Sequence, residues 1–249
     1  MRDANAEISD VCAYYRQILP FYEMESLSGA HLGFWRGIAA RLRPRRILEI
    51  GSGLGRITAE LSRVAPAVGI DVSMEMLAAA PRRDRELLVL ADARRRVARP
   101  VFDLVVAPGD PFSHMTLLED RRRALRAVAL QLSPGGRFVL EGLYRRRREV
   151  ALPQRRIPHA EGVLTVDEAW IPIGAGELWR ARYRYRDRRR GRPEKTLSAA
   201  FLARAWNPAT IRDLFASRGL RIEKVWGGFD RRPFRTGARR MIVIALRDR

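Results

Sequence analysis

Glu49, Gly51, Gly53 and Gly55 stand at alternate positions, in the stretch of this chain best suited to hold a small charged ligand. They overlap the short apolar run Ile47, Leu48 and Ile50, which predicts a buried parallel strand, and they precede Ile57, Leu61 and Val64 at helical spacing. Strand, glycine turn and helix open a nucleotide-binding βαβ unit, in which backbone N–H groups and a helix N-terminus come close to a ligand. The spacing argues against a dinucleotide. Gly-x-Gly-x-x-Gly needs a glycine at its sixth position, but counting from Gly51 that residue is Arg56, and from Gly53 it is Thr58. Asp71 ends the second predicted strand, about where a βαβ nucleotide site places a carboxylate that accepts from ribose hydroxyls. His114 brings an imidazole, with its near-neutral proton affinity, into a loop leaving a central predicted strand.

These segments together resemble a known family. The run Glu49-x-Gly51-x-Gly53-x-Gly55 resembles motif I of the class I S-adenosylmethionine (SAM)-dependent methyltransferases. Asp71-Val72-Ser73-x-x-Met76-Leu77 resembles that family's segment after its second strand, and Asp92 follows a third apolar run. Ser133-Pro134-Gly135-Gly136, between a predicted helix and a strand, is similar to another of its hallmarks. The resemblance covers residues 45 to 142 and points to the small-molecule bacterial type.

That resemblance implies a site. Glu49 would face the methionine ammonium, and the backbone of Gly51, Ser52, Gly53 and Gly55 would approach the methionine tail. Asp71 would hold the ribose, while Val72, Met76, Asp92, Ala93 and Pro108 would border the remainder of SAM. Tyr14 and Tyr22, in an N-terminal helical segment, are candidate lid residues against substrate. Asp110 and Phe112 are candidates in the loop after the fourth strand. His114 is the candidate base, needed only if the acceptor is still protonated when it reacts. The implied activity is methyl transfer to N or O of a small molecule, leaving S-adenosylhomocysteine and using no metal. A methyltransferase acting on RNA or protein is the first alternative, and a non-catalytic or NAD(P)-binding Rossmann-like module the second.

The elements that must position these residues read as an α/β fold. Residues 1–44 look helical, with His31 to Leu42 ending before Pro44. Residues 45–142 form the cofactor-binding core. In residues 143–205 the period changes to two: from Trp179 to Arg186 every odd position is apolar or aromatic and every even one is Arg. This predicts a small antiparallel insertion after the fifth strand, covering the substrate. Residues 206–249 supply a helix begun at Asn207-Pro208 and a closing hairpin. The resemblance implies a Rossmann-like sheet, mostly parallel and seven-stranded, in the order 3-2-1-4-5-7-6 with the seventh strand antiparallel and helices on both faces.

Composition sets outer limits. The 249 residues, 47% hydrophobic, suffice for one such domain. No apolar run is long enough to span a membrane, and residues 1–5 do not open like a signal peptide, so a cytoplasmic protein is expected. The lone Cys12 excludes an internal disulfide framework. Net charge is +20, and because Lys195 and Lys224 are the only lysines, 46 of the 48 basic residues are arginine. They are scattered and clustered, including Arg94–Arg96, Arg121–Arg123 and Arg145–Arg148, and without interleaved aromatics they read chiefly as solvated surface.

Overall fold

The computed structural model describes residues 4–25, 29–97, 99, 102–144, 150–235, 237–238 and 240–248. The Arg145–Arg148 run lies outside them. Two helices come first, α1 (Ala4–Tyr22) and α2 (Gly29–Leu42). The core then alternates: β1 (Ile47–Ile50), α3 (Arg56–Ser62), β2 (Ala67–Asp71), α4 (Met74–Ala79), β3 (Leu88–Leu90), β4 (Phe102–Ala107), α5 (Leu118–Gln131) and β5 (Leu132–Gly142). Next come five antiparallel strands, β6 (Val150–Ala151), β7 (Arg155–His159), β8 (Gly162–Ile173), β9 (Leu178–Arg189) and β10 (Lys195–Arg204). The chain closes with α6 (Ile211–Ala216), β11 (Leu220–Trp226) and β12 (Met241–Arg247).

Seven strands form one sheet in the order β11-β12-β5-β4-β1-β2-β3, with β12 antiparallel to both neighbours. This is the expected 3-2-1-4-5-7-6 order. β1 is central, and Leu48 is in register with Val68 on one side and Val105 on the other. Successive side chains of a strand point to opposite faces, so each face acquires its own core. Leu48, Ile50, Val105 and Phe138 pack with Leu125 and Val128 of α5 and with Phe215 of α6. Ile47, Leu104, Val106 and Val139 pack on Trp35 and Ile38 of α2 and on Ile57 and Leu61 of α3.

The alternating stretch forms β9, between β8 and β10 in the second sheet. Trp179, Ala181 and Tyr185 are buried, whereas Arg180, Arg182 and Arg184 are exposed. A third cluster joins this sheet to α1: Tyr14, Ile18 and Phe21 pack against Leu164, Val166, Tyr185 and Ala199. The α1 helix is thereby fixed over the carboxyl ends of the parallel strands.

Two local expectations are corrected. The last helix begins at Ile211, because Asn207 Oδ1 accepts the Ala209 N–H at 2.9 Å and keeps the Asn-Pro pair in a turn. The Ser133–Gly136 segment, expected between a helix and a strand, lies inside β5, since Leu132 already pairs with Phe102 ahead of a register shift.

Candidate active site

At the end of β1 the backbone enters the left-handed region three times, at Gly51 (φ 73°), Gly53 (52°) and Gly55 (75°). Space constrains Gly51 most, against a rigid proline ring, and Gly53 little, against the flexible end of a methionine. A Cβ on Gly51 would stand 2.6 Å from Pro111 Cβ, and one on Gly53 would stand 3.3 Å from Met76 Cε. The loop therefore lies close against the neighbouring walls, as a cradle for an extended ligand requires. Its amides are engaged internally: Gly51 and Ser52 donate to the Ile70 carbonyl, Gly55 to that of Ser52, and Gly53 to Asp71 Oδ2 at 2.8 Å.

An inner cavity of about 150 Å³ opens beside this loop at the carboxyl ends of the parallel strands. Gly51, Gly53, Asp71, Val72, Met76, Asp92, Ala93 and Pro108 line it, together with Tyr22 and His114. Asp71 Oδ1 also accepts the Ser73 N–H at 2.9 Å, and Ser73 caps α4, which carries Met76. Burial raises the Asp71 pKa, and the N–H groups of Ser73, Gly53 and Val72 oppose that rise.

Other expected residues lie elsewhere. Glu49 is absent from the cavity wall. It is 2% exposed and accepts the Thr58 hydroxyl of α3, and burial pushes its pKa up to about 8 against the lowering effect of that hydroxyl. Ser52 and Gly55 are also outside the wall: Ser52 is buried, and the space a Gly55 side chain would need is taken by Leu88. Phe112 is fully buried among Phe138 and Trp206, so it is a core residue. Asp110 is a structural tie. Its Oδ2 accepts Leu143 N–H at 2.6 Å and Trp206 Nε1–H at 2.9 Å, and burial raises its pKa to about 6 although Arg121 pulls the other way.

Of the two expected lid residues, Tyr22 lines the inner cavity and Tyr14 does not. Consecutive helical residues point about 100° apart, so α1 carries two stripes. Ile8, Val11, Tyr15 and Tyr22 face the cavity, whereas Tyr14, Ile18 and Phe21 face the second sheet. Tyr15, not Tyr14, is the ring over the inner cavity, and its hydroxyl meets His114 Nε2 at 3.1 Å. The 3,4,7 spacing of the first stripe was readable in the sequence. Arg94 was not: within an arginine run it is 8% exposed in its side chain, pairing with Asp92 at 2.9 Å and Asp120 at 3.0 Å.

His114 ends a short 3-10 helix, Pro111–His114, and burial alone lowers its pKa to about 4, so the imidazole is neutral near pH 7. Its Nδ1 has no hydrogen-bond partner among the described residues. Also among them, no group of three or more His, Cys, Asp or Glu could hold a metal ion, and no helix is long and apolar enough to cross a membrane.

A seven-stranded sheet of this order, with a glycine cradle at β1 and an acid ending β2, defines the class I methyltransferase fold. Residues 47–136 match the family model described as a methyltransferase domain. Among solved structures the chain is similar to SAM-bound CalS10, an amino pentose methyltransferase from Micromonospora echinaspora, at 20% identity and TM-score 0.74 over 92% of this chain and 95% of that one. It is similar to DesVI of Streptomyces venezuelae at 19% identity and TM-score 0.74, covering 98% and 99%. The sugar N-methyltransferase KedS8 from Streptoalloteichus sp. gives 20% identity and TM-score 0.70, covering 92% of each chain. No curated protein matches in sequence.

Proposed function

We propose that this chain is a SAM-dependent methyltransferase acting on a nitrogen or oxygen of a small molecule, with an amine as the favoured acceptor. The observation that carries the reading is the inner cavity itself: in a chain of net charge +20, Asp71 and the Arg94-paired Asp92 stand in its wall beside the glycine cradle. Acids gathered there suit a ligand bearing positive charge and ribose hydroxyls. The cofactor supplies an intrinsically activated methyl group on sulfonium. The protein's tasks are then alignment and exclusion of water.

Asp71 would accept the ribose hydroxyls. Met76, Val72 and Ala93 would border the base, and Tyr22 and Tyr15 would close the cavity from α1. Neutral His114 would hydrogen-bond the acceptor and orient its lone pair. With so low a proton affinity it is a weak base, and it suits an acceptor that arrives as, or readily becomes, a free amine. The similar amino pentose and sugar N-methyltransferases favour an amine as well.

The test is a thermal-shift series followed by turnover assays. SAM and S-adenosylhomocysteine should raise the melting temperature and NAD(H) should not. Mass spectrometry of reactions with amines, phenols and tRNA should find the added methyl on an amine. No stabilisation by either sulfur ligand would defeat the proposal; methylated tRNA, with steeply salt-dependent binding, would replace the acceptor class.

A further inference from the structure

An outer cavity of about 360 Å³ lies between α1 and the second sheet, lined by Asp10, Tyr14, Arg180 and Phe201. Glu7, Val11 and His114 line both cavities, so the two share a wall. That wall carries two polar atoms with no role in the fold. Glu7 is 5% exposed; its Oε1 accepts the Thr116 N–H at 3.1 Å and the Thr116 hydroxyl, but Oε2 finds no partner among the described residues. His114 Nδ1 is left in the same condition.

A buried, unpaired polar atom is costly, and a carboxylate oxygen can only accept. What satisfies Glu7 Oε2 must therefore donate, and a cationic donor gains most in so dry a place. The apolar side of the outer cavity comes from the Tyr14 and Phe201 rings, 4.7 Å apart edge to face. Its rim carries opposite charges, Asp10 and Arg180, both exposed and so screened by solvent.

We infer that the outer cavity is the acceptor chamber, that its ligand is a small molecule carrying a primary or secondary amine, and that Glu7 is the anchor for that amine. The inference rests on the methyltransferase reading above and adds the place, chemical class and anchoring residue of the acceptor. In this arrangement the ammonium docks at the shared wall between Glu7 and His114, at the passage towards the inner cavity, and passes one proton to the Glu7 carboxylate, so that the free amine presents its lone pair to the methyl donor. The body of the molecule lies against Tyr14 and Phe201.

The experiment is calorimetry on the full-length protein saturated with S-adenosylhomocysteine, titrated at millimolar concentration with matched pairs: glucosamine against glucose, and benzylamine against benzyl alcohol. An amine should bind at least about 10-fold more tightly than its alcohol, the usual scale for a hydrogen bond to a charged group. Glu7→Gln, which keeps an oxygen for Thr116, should erase that preference while leaving S-adenosylhomocysteine affinity and melting temperature nearly unchanged. Glu7→Asp should retain part of it. Equal binding of amine and alcohol by the wild type, no amine binding, or a preference surviving in Glu7→Gln would overturn the assignment. So would loss of S-adenosylhomocysteine affinity in Glu7→Gln, which would place Glu7 in the cofactor site. The wild-type comparison stands even if a variant fails to fold. Should the wild type itself not bind S-adenosylhomocysteine, it is the methyltransferase reading that fails.

Discussion

The carboxylate of Asp71 accepts the backbone N–H of Gly53 at 2.8 Å, so the acid ending β2 and the glycine turn after β1 form one unit. The same carboxylate receives Ser73 N–H, which joins α4 to that unit. Asp71→Asn keeps the shape but turns one acceptor into a donor facing Gly53. Binding of S-adenosylhomocysteine should weaken by about 1.5–3 kcal/mol, as expected for hydrogen bonds to a charged group. Calorimetry checks it, and unchanged affinity would remove Asp71 from the ribose site.

Gly69 was not singled out in the sequence, yet it lets α3 and the glycine loop approach β2. It faces Glu49 in the strand ladder, and a Cβ there would stand 2.4 Å from Thr58 Oγ1 and 2.6 Å from Ser52 Cβ. Gly69→Ala should destabilise by roughly 1–3 kcal/mol through overpacking. Gly109→Ala, left-handed but with nothing within 4 Å, should cost only about 1 kcal/mol. Urea denaturation of both variants tests the contrast.

These two sites mark what the sequence could convey. The two faces of β9 follow from hydrophobic period, which is local, and the strand order from the family resemblance carried by the glycine and acid motifs; both appear as expected. Side-chain direction in the site follows from geometry that period does not encode. Asp110 has a φ of 54°, and in the turn this opens Asp110 and Phe112 face Trp206 and the core instead of the cavity. Tyr14 and Tyr15 each belong to a stripe of helical spacing, and the packing of α1 against the second sheet decides which stripe covers the cavity. Arg94 and Arg121 belong to runs that read as solvated, but each finds buried acceptors far along the chain.

The Tyr15 hydroxyl and His114 Nε2 form a polar contact between lid and loop, beside that of Glu7 with Thr116. Tyr15→Phe removes it, and His114→Ala removes the imidazole from the shared wall. Both should lower kcat by about 10-fold or more with little change in the KM for SAM. Because burial holds His114 near 4, the pH profile of kcat/KM should show no step from it between pH 5 and 8. A step near 6.5 that disappears in His114→Ala would refute the neutral, dry setting of this residue.

Glu49 should make stability depend on pH. Unfolded, a glutamate titrates near 4.3; folded, burial raises Glu49 to about 8. Between these values the folded chain holds a proton that the unfolded chain has released. The contribution is thus complete below the unfolded value and is lost as pH rises through 8. Glu49→Gln cannot ionise and should flatten the decline in denaturation free energy between pH 5 and 9. An unaltered slope would assign the titration to another group.

Arg121 ties the His114 loop to the second sheet and should be among the most destabilising surface-type residues to remove. It is 1% exposed, donates to the Met115 and Ala205 carbonyls at 3.2 Å and to that of Arg204, and its guanidinium lies 4.3 Å from the Trp206 ring centre. Trp206 in turn donates to Asp110, whose charge Arg121 balances. Arg121→Leu strips three carbonyls of their donor and leaves Asp110 buried without its cation, a loss of about 3–5 kcal/mol. Arg121→Lys keeps the charge but cannot reach all three carbonyls from one planar fork, so it should recover only part. The deficit of Arg121→Leu should also shrink at low pH. Asp110 already titrates near 6, and losing its cation raises that value further, so at pH 5 most molecules carry a neutral acid needing no partner. Urea denaturation at pH 5 and pH 8 separates the two contributions: a smaller deficit at pH 5 measures the charge balance, and what persists measures the carbonyl bonds. Equal deficits at both pH values would mean that Arg121 and Asp110 are energetically independent.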